Sequence, residues 1–299
     1  MNEFISKYQW DIRPKQPLRP TWFKSWPKNK RMAFQVIVLH EWESVPWHRS
    51  RPFPASAHHK FDYLALGSRE YGARHGIWRL LDTLDEHGVK ATVTTNGLVA
   101  DLFPDSVYAA AQRGHELSVH QWDQSVFPPM FETREAEKEN LRRAKDAIEC
   151  VSKHQALGYM SPGPRPTPFT MEIAAELGFT WTCDFLDSDF PYLIDTTAGP
   201  LVAVSYATPG SLDYDLLGLS HPDRLNDMKF VFDAVYAESA KRPMRFSYAV
   251  HAHWGGTAAM ARVLAEFLEY VLQHDEVWLS TFGEVAEFWL HESGSPNRI

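Results

Sequence analysis

The chain has 299 residues, with 30 Lys and Arg against 38 Asp and Glu, a net charge of −8. A hydrophobic share of 44% at this modest charge excludes a disordered chain, and the acidic balance excludes a general electrostatic grip on nucleic acid or an anionic membrane. The length suits one large α/β domain or two average ones, and what remains to explain is a surplus of 14 His and 11 Trp.

Residues 1–31 carry aromatic and Pro punctuation without periodicity and read as an extended arm. Met32–Leu39 (MAFQVIVL) is an apolar run of buried-strand type. Ser44 to about Lys60 is rich in Pro, Ser, His and Arg and reads as a long loop, a length that often serves function. Ile77, Leu80, Leu81 and Leu84 form a helix stripe ended by Gly88. Strands are predicted at Lys90–Thr95, Glu116–Val119, Ala156–Tyr159, Phe179–Cys183, Leu201–Tyr206, Phe246–His251 and Val277–Ser280. Between and after them, helices are predicted at Asp105–Arg113, Thr133–Lys153, Thr170–Leu177, Arg224–Lys241, Ala258–His274 and Phe282–His291, with Gly114 and Gly178 as stops. Such alternation implies a mainly parallel sheet. About eight strands in one series, with no Gly-rich phosphate loop after any of them, favour a closed (β/α) barrel over a doubly wound sheet. No linker or repeat divides the chain, so 32–292 reads as one catalytic domain and 293–299 as a tail.

Cys150 and Cys183 have neither metal-type nor redox-type spacing. The N-terminus lacks the apolar stretch of a signal peptide, and no run reaches the ~18 apolar residues of a membrane span. The expectation is a cytoplasmic protein with two reduced thiols and no membrane or nucleic-acid partner.

In such barrels chemistry sits at the C-terminal ends of the strands. Strand one ends in His40-Glu41-Trp42-Glu43, strand three in His120-Gln121-Trp122-Asp123-Gln124, strand five in Asp184, and strand seven in His251-Ala252-His253-Trp254. Glu41 and Glu43 share a face at that spacing, and two nearby carboxylates repel, which suits one of them to general acid or base work. His251 and His253 have the same spacing, and a His can donate a proton to a leaving nitrogen. No G-x-S-x-G elbow is present, and neither cysteine sits in a nucleophile setting.

The stretches WPKNKRMAFQVIVLHEWE, REYGARHGIWRLLDTLDEHGVKATV, RGHELSVHQW, LGYMSPGPRPTPFTMEIAAELGF, DSDFPYLID and LAEFLEYVLQHDEVWLSTFGEVAEFW resemble the polysaccharide deacetylase superfamily, most of all its allantoinase-like branch. The likeness runs from about Trp26 to Trp289 and implies a single deformed (β/α) barrel of seven to eight strands. The resemblance implies that deacetylases of this superfamily hold a divalent metal with an Asp and two His spaced H-x-x-x-H, with a second Asp as base and a late-strand His as acid, whereas the allantoinase-like members work without that triad and lack the second His. Here Glu43 falls at the metal-binding Asp, Glu41 lies near the base, His120 matches the first His, and His251 matches the late His. Gln124 stands where the second His belongs, and Met160 replaces the Arg of the family's R-x-P-x-G segment. With a strong imidazole ligand gone, no cofactor is expected; a zinc ion, if bound, would fall to Glu43, His120 and Gln124.

The leading expectation, implied by the resemblance to the allantoinase-like branch, is a hydrolase of a carbon–nitrogen bond in a small cyclic amide, imide or ureide. Glu41, Glu43, His120 and His251 are its expected catalytic residues, and Trp42, Trp122, Asp184, His253 and Trp254 its expected substrate-binding residues. The alternatives are a metal-dependent N-deacetylase of an N-acetylated sugar or polysaccharide, and a non-catalytic binding protein on the same scaffold. Members of the allantoinase-like branch are homo-oligomers, so the resemblance implies a dimer or tetramer.

Overall fold

The sheet is built around the apolar run in the middle of which the chain's most buried residues lie. In the computed structural model, which describes residues 20–44 and 63–293, this run is β1 (Met32–His40), buried at every position. One edge of β1 pairs in parallel with β8 (Met244–His251), from Met32 opposite Met244 to Leu39 opposite His251. The other edge is shared: β2 (Thr92–Thr95) takes Ile37–His40, and β9 (Val277–Leu279) takes Met32–Phe34. Beyond β2 follow β3 (Glu116–Val119), β4 (Gly158–Tyr159), β5 (Trp181–Thr182) and β7 (Leu201–Ala203), all parallel. At the far end β6 (Tyr192–Ile194) pairs antiparallel with β7.

This is the α/β deformed barrel expected, with two differences. Among the described residues the sheet has nine strands. The extra one, β6, is three residues long, too short to carry a period of its own. The barrel is also open rather than closed, since the strand path ends at β6 and β8. The gap lies between the β6–β7 end of this path and the free edge of β8. An irregular stretch runs along the free edge of β8 instead: Thr208 N–H donates to the Ser247 carbonyl at 3.0 Å and Asp213 N–H to the Ala249 carbonyl at 2.9 Å. That stretch delivers a residue of the site.

Helices cover the sheet. α1 (Tyr63–Tyr71) passes through a π-helical turn at Gly72–Gly76 into α2 (Ile77–Glu86), where Ile77, Leu80, Leu81 and Leu84 are fully buried, as their spacing predicts. α3 (Gly97–Leu102) and α4 (Pro104–Gln112) follow β2, and α5 (Arg134–Ser152) follows β3 with the Thr133 hydroxyl accepting from Ala136 N–H as its cap. α6 (Thr170–Glu176) precedes β5. α7 (His221–Glu238) starts one turn earlier than predicted, because the Ser220 hydroxyl caps Asp223 N–H and Pro222 sits in the first turn. α8 (Ala252–Gly255) is a single turn after β8; α9 (Ala258–Val271) and α10 (Phe282–Glu292) complete the layer.

Part of the Trp surplus is structural. Phe23 packs edge-on against Trp289 of α10 and against Trp26, and Trp26 Nε1–H donates to the Met244 carbonyl at 2.6 Å. Trp181 is fully buried in the same cluster. Of the expected arm only 20–31 are described, and the expected loop at Ser44–Lys60 lies outside the described residues except Ser44, as do 294–299 of the tail. Both cysteines are free thiols, Cys150 exposed and Cys183 buried. No helix among the described residues is long and apolar enough to cross a membrane.

Candidate active site

Parallel strands bring their C-terminal ends to one side, so the residues that follow β1, β3 and β8 converge. Glu41 and Glu43 follow β1, His120 follows β3, and His251 closes β8; all four are buried. The Glu41 carboxylate is the hub. Its Oε1 lies 3.3 Å from His120 Nε2 and 3.7 Å from His251 Nε2, and its Oε2 lies 3.3 Å from Arg69 Nη1. Arg69 Nη2 pairs with Glu43 Oε1 at 2.6 Å.

Each imidazole is oriented from behind. His120 Nδ1 is 2.7 Å from the Met160 carbonyl, which fixes the ring with Nε2 turned towards Glu41. His251 Nδ1 is 2.7 Å from Asp213 Oδ1, and His251 N–H donates to Asp213 Oδ2 at 2.7 Å. Tyr214 stacks on the His251 ring, with centroids 4.0 Å apart. His253 Nε2 lies 2.8 Å from the Tyr214 hydroxyl and 2.6 Å from Arg69 Nη1.

Arg69 arrives from α1, and glycines allow it. A Cβ on Gly76 would stand 1.9 Å from the Ala252 carbonyl oxygen, and one on Gly72 would stand 2.7 Å from the His253 backbone nitrogen. The π-turn therefore seats directly on the end of β8, and the last turn of α1 hangs over the carboxylates.

These contacts set the charge states. Burial by itself would raise the Glu41 carboxyl, but the His251 charge, the His120 hydrogen bond and Arg69 outweigh it and hold Glu41 well below the usual carboxylate range. Burial would lower His251, yet Asp213 and then Glu41 raise it. His253 is pushed well down by burial, with Arg69 and His251 adding to the effect, and stays neutral. Arg69 keeps its proton because Tyr214, Glu41 and Glu43 outweigh its burial.

The other expected residues lie around this cluster. Asp184, after β5, accepts from Ser161 N–H at 2.6 Å; burial raises its carboxyl to about 7, with the Ser161 hydrogen bonds offsetting only part of it. Trp42 packs on Phe103 at 5.4 Å, and its backbone N–H donates to Asn96 Oδ1 at 3.0 Å. Trp122 lies under the Arg143 guanidinium of α5, at 3.5 Å, and against Gly97 of α3. Trp254 is covered by Arg224 of α7 and sits edge-on to Tyr214. Gln124 N–H donates to the Trp42 carbonyl at 3.0 Å. His40 ends β1 but leaves the rim: its Nε2 meets Ser106 Oγ at 2.9 Å, and burial lowers it to about 4, so it is a neutral core residue.

The donor set does not fit the metal of the resemblance. Among the described residues no group of three or more His, Cys, Asp or Glu is arranged to hold a metal ion. Glu43 already faces a guanidinium, and Gln124 contributes a neutral amide where an imidazole would be needed.

The family profile of polysaccharide deacetylases matches residues 61–182. A putative polysaccharide deacetylase of Schizosaccharomyces pombe is 25% identical over 251 residues, 74% of this chain and 74% of that one. Over residues 61–182 the chain is thus similar to the polysaccharide deacetylases. Two solved structures share its fold. A putative polysaccharide deacetylase of Mycobacterium smegmatis superposes with a TM-score of 0.78 at 23% identity, over 96% of this chain and 98% of that one. Puue allantoinase superposes with a TM-score of 0.77 at 24% identity, over 93% of this chain and 95% of that one. The superfamily profile spans Arg69, His120, Gln124 and Met160 but neither Glu41 nor His251, so the two ends of the site come from outside the matched stretch.

Sequence reasoning missed Arg69, Asp213 and Tyr214. Arg69 stands in REYGARHG, whose Gly72 and Gly76 together with Gly255-Gly256 are the signal of a close backbone approach. Asp213 and Tyr214 lie in a stretch with no period, and nothing in it announces their neighbours.

Proposed function

We propose that the protein is a hydrolase of non-peptide carbon–nitrogen bonds. The observation that carries this reading is the His251–Asp213 pair, whose free Nε2 faces the ionised Glu41 carboxylate. Glu41 orients a water and takes its proton as the oxygen adds to the amide carbon. His251, kept protonated by Asp213, gives its Nε2 proton to the nitrogen as the C–N bond breaks. The products are a carboxylate and an amine. His120 holds Glu41 in place, and Tyr214 holds the His251 ring.

The matching profile and the fission-yeast relative both favour an N-acetylated sugar or polysaccharide as substrate over the ring amide. A second reading, a cyclic amide, imide or ureide, is favoured by the donor set, which lacks the metal ligands of a deacetylase. The same residues serve either bond. The test is a panel of N-acetyl sugars, cyclic imides, hydantoins, allantoin and lactams, followed by mass spectrometry for a gain of one water in the ring substrates and for loss of the acetyl group, with release of acetate, in the N-acetyl sugars. On any substrate turned over, Glu41→Gln and His251→Ala each lower kcat/KM by about 10²–10⁴-fold. Full activity in both variants would overturn the mechanism. Binding without turnover anywhere on the panel would favour a non-catalytic scaffold.

A further inference from the structure

Two buried carboxylates side by side need a positive charge, and in this superfamily the resemblance assigns that charge to a metal. We infer that the Arg69 guanidinium is a resident cation that takes over this role, neutralising the Glu41–Glu43 pair and fixing both carboxylates in position.

Geometry carries the inference. One guanidinium contacts both acids, Nη1 with Glu41 at 3.3 Å and Nη2 with Glu43 at 2.6 Å, while the acids themselves are buried. Its position is built rather than incidental. The Gly72 and Gly76 contacts set α1 over the site, and Tyr214 and His253 crowd the same Nη1 that faces Glu41. A side chain held among two acids, a phenol and an imidazole has little freedom to swing into solvent. Gln124 fits the same logic: a second imidazole is of use only where a metal has to be held, and here the cation is covalently part of the chain. With Oε2 turned to Arg69, Oε1 of Glu41 is left facing His120 and His251. Arg69 is thus a positioning residue that acts through Glu41.

The inference builds on the hydrolase reading of the site, but its test detects metal rather than turnover, so either can fail alone. Chelator-stripped protein is titrated with zinc by calorimetry and with cobalt(II) by visible absorption. Wild type is expected to bind weakly. Arg69→Ala, which removes the cation and leaves Glu41, Glu43 and His120, is expected to bind at least tenfold more tightly, with a new cobalt absorption band. Arg69→Lys, which restores a charge, is expected to bind as weakly as wild type. Stoichiometric tight binding by wild type, no gain in Arg69→Ala, or an equal gain in Arg69→Lys would each overturn the inference. Thermal melts establish that each variant folds. Should Arg69→Ala fail to fold, Gln124→His with Arg69 retained decides: unchanged weak binding supports competition by the guanidinium, and a tight new site refutes it.

Discussion

The two halves of the rim treat a buried carboxyl in opposite ways. Around β1 and β8, Glu41 lies among His120, His251 and Arg69 and is held firmly ionised. Around β4 and β5, Asp184 has Ser161 as its main partner, and burial raises its carboxyl to about 7. The two side chains are almost equally hidden, 4% and 6% exposed, so burial alone does not decide the charge state. What decides it is whether a fixed cation stands within ion-pair distance to offset desolvation. One half of the rim is therefore suited to activating water and moving protons, and the other to hydrogen-bonding a neutral group.

The sharpest way to break the comparison is to remove the anion behind His251. Asp213→Asn is expected to lower kcat/KM by about 10²-fold or more. It also shifts the pH profile. Asp213 raises His251, whose protonated form gives up the proton, so activity falls as pH rises through that pKa. Without Asp213 the fall moves to lower pH, as kcat/KM measured from pH 5 to 9 would show.

Gly76→Ala attacks the scaffold of the charged half. Its Cβ meets the Ala252 carbonyl, so α1 and α2 must move off the end of β8. The expected loss is about 2–4 kcal/mol in denaturant unfolding, together with most of the activity. Native stability with Arg69 function intact would show that the close approach is dispensable.

The neutral half should respond more gently and with the opposite sign. The folded-state pKa of Asp184 lies above the unfolded value near 4, so stability is full below pH 4 and falls as pH rises towards 7. Asp184→Asn keeps an acceptor for Ser161 N–H and removes that dependence. It should raise Tm at pH 8 by about 2 °C, on the order of 1 kcal/mol, and change it little at pH 4. A lower Tm at pH 8 would mean that the ionised carboxylate is the form the fold needs.

Smallest of all should be Arg142→Ala on α5. Arg142 bridges Glu139 and Asp146 on an exposed face, where solvent screens both pairs, so no measurable change in Tm is expected. A measurable change, or a change in oligomeric state by light scattering, would make this face an interface.

The sequence by itself determined the elements and the acid–imidazole set. The Ile77–Leu84 stripe, the glycine stops at Gly88, Gly114 and Gly178 and the apolar strand runs are local patterns, because helix and strand periods repeat within a few residues. Glu41, Glu43, His120 and His251 were legible because in a parallel sheet the end of a strand marks the face where ligands are met. Only the tertiary structure decided which charges meet. Arg69 reaches Glu43 across a glycine contact, Asp213 reaches His251 because its segment borrows the free edge of β8, and His40 leaves the rim for Ser106. These are contacts between residues far apart in the chain, and no period or spacing encodes them. They determine which carboxylate stays charged, and so which half of the rim can carry out chemistry.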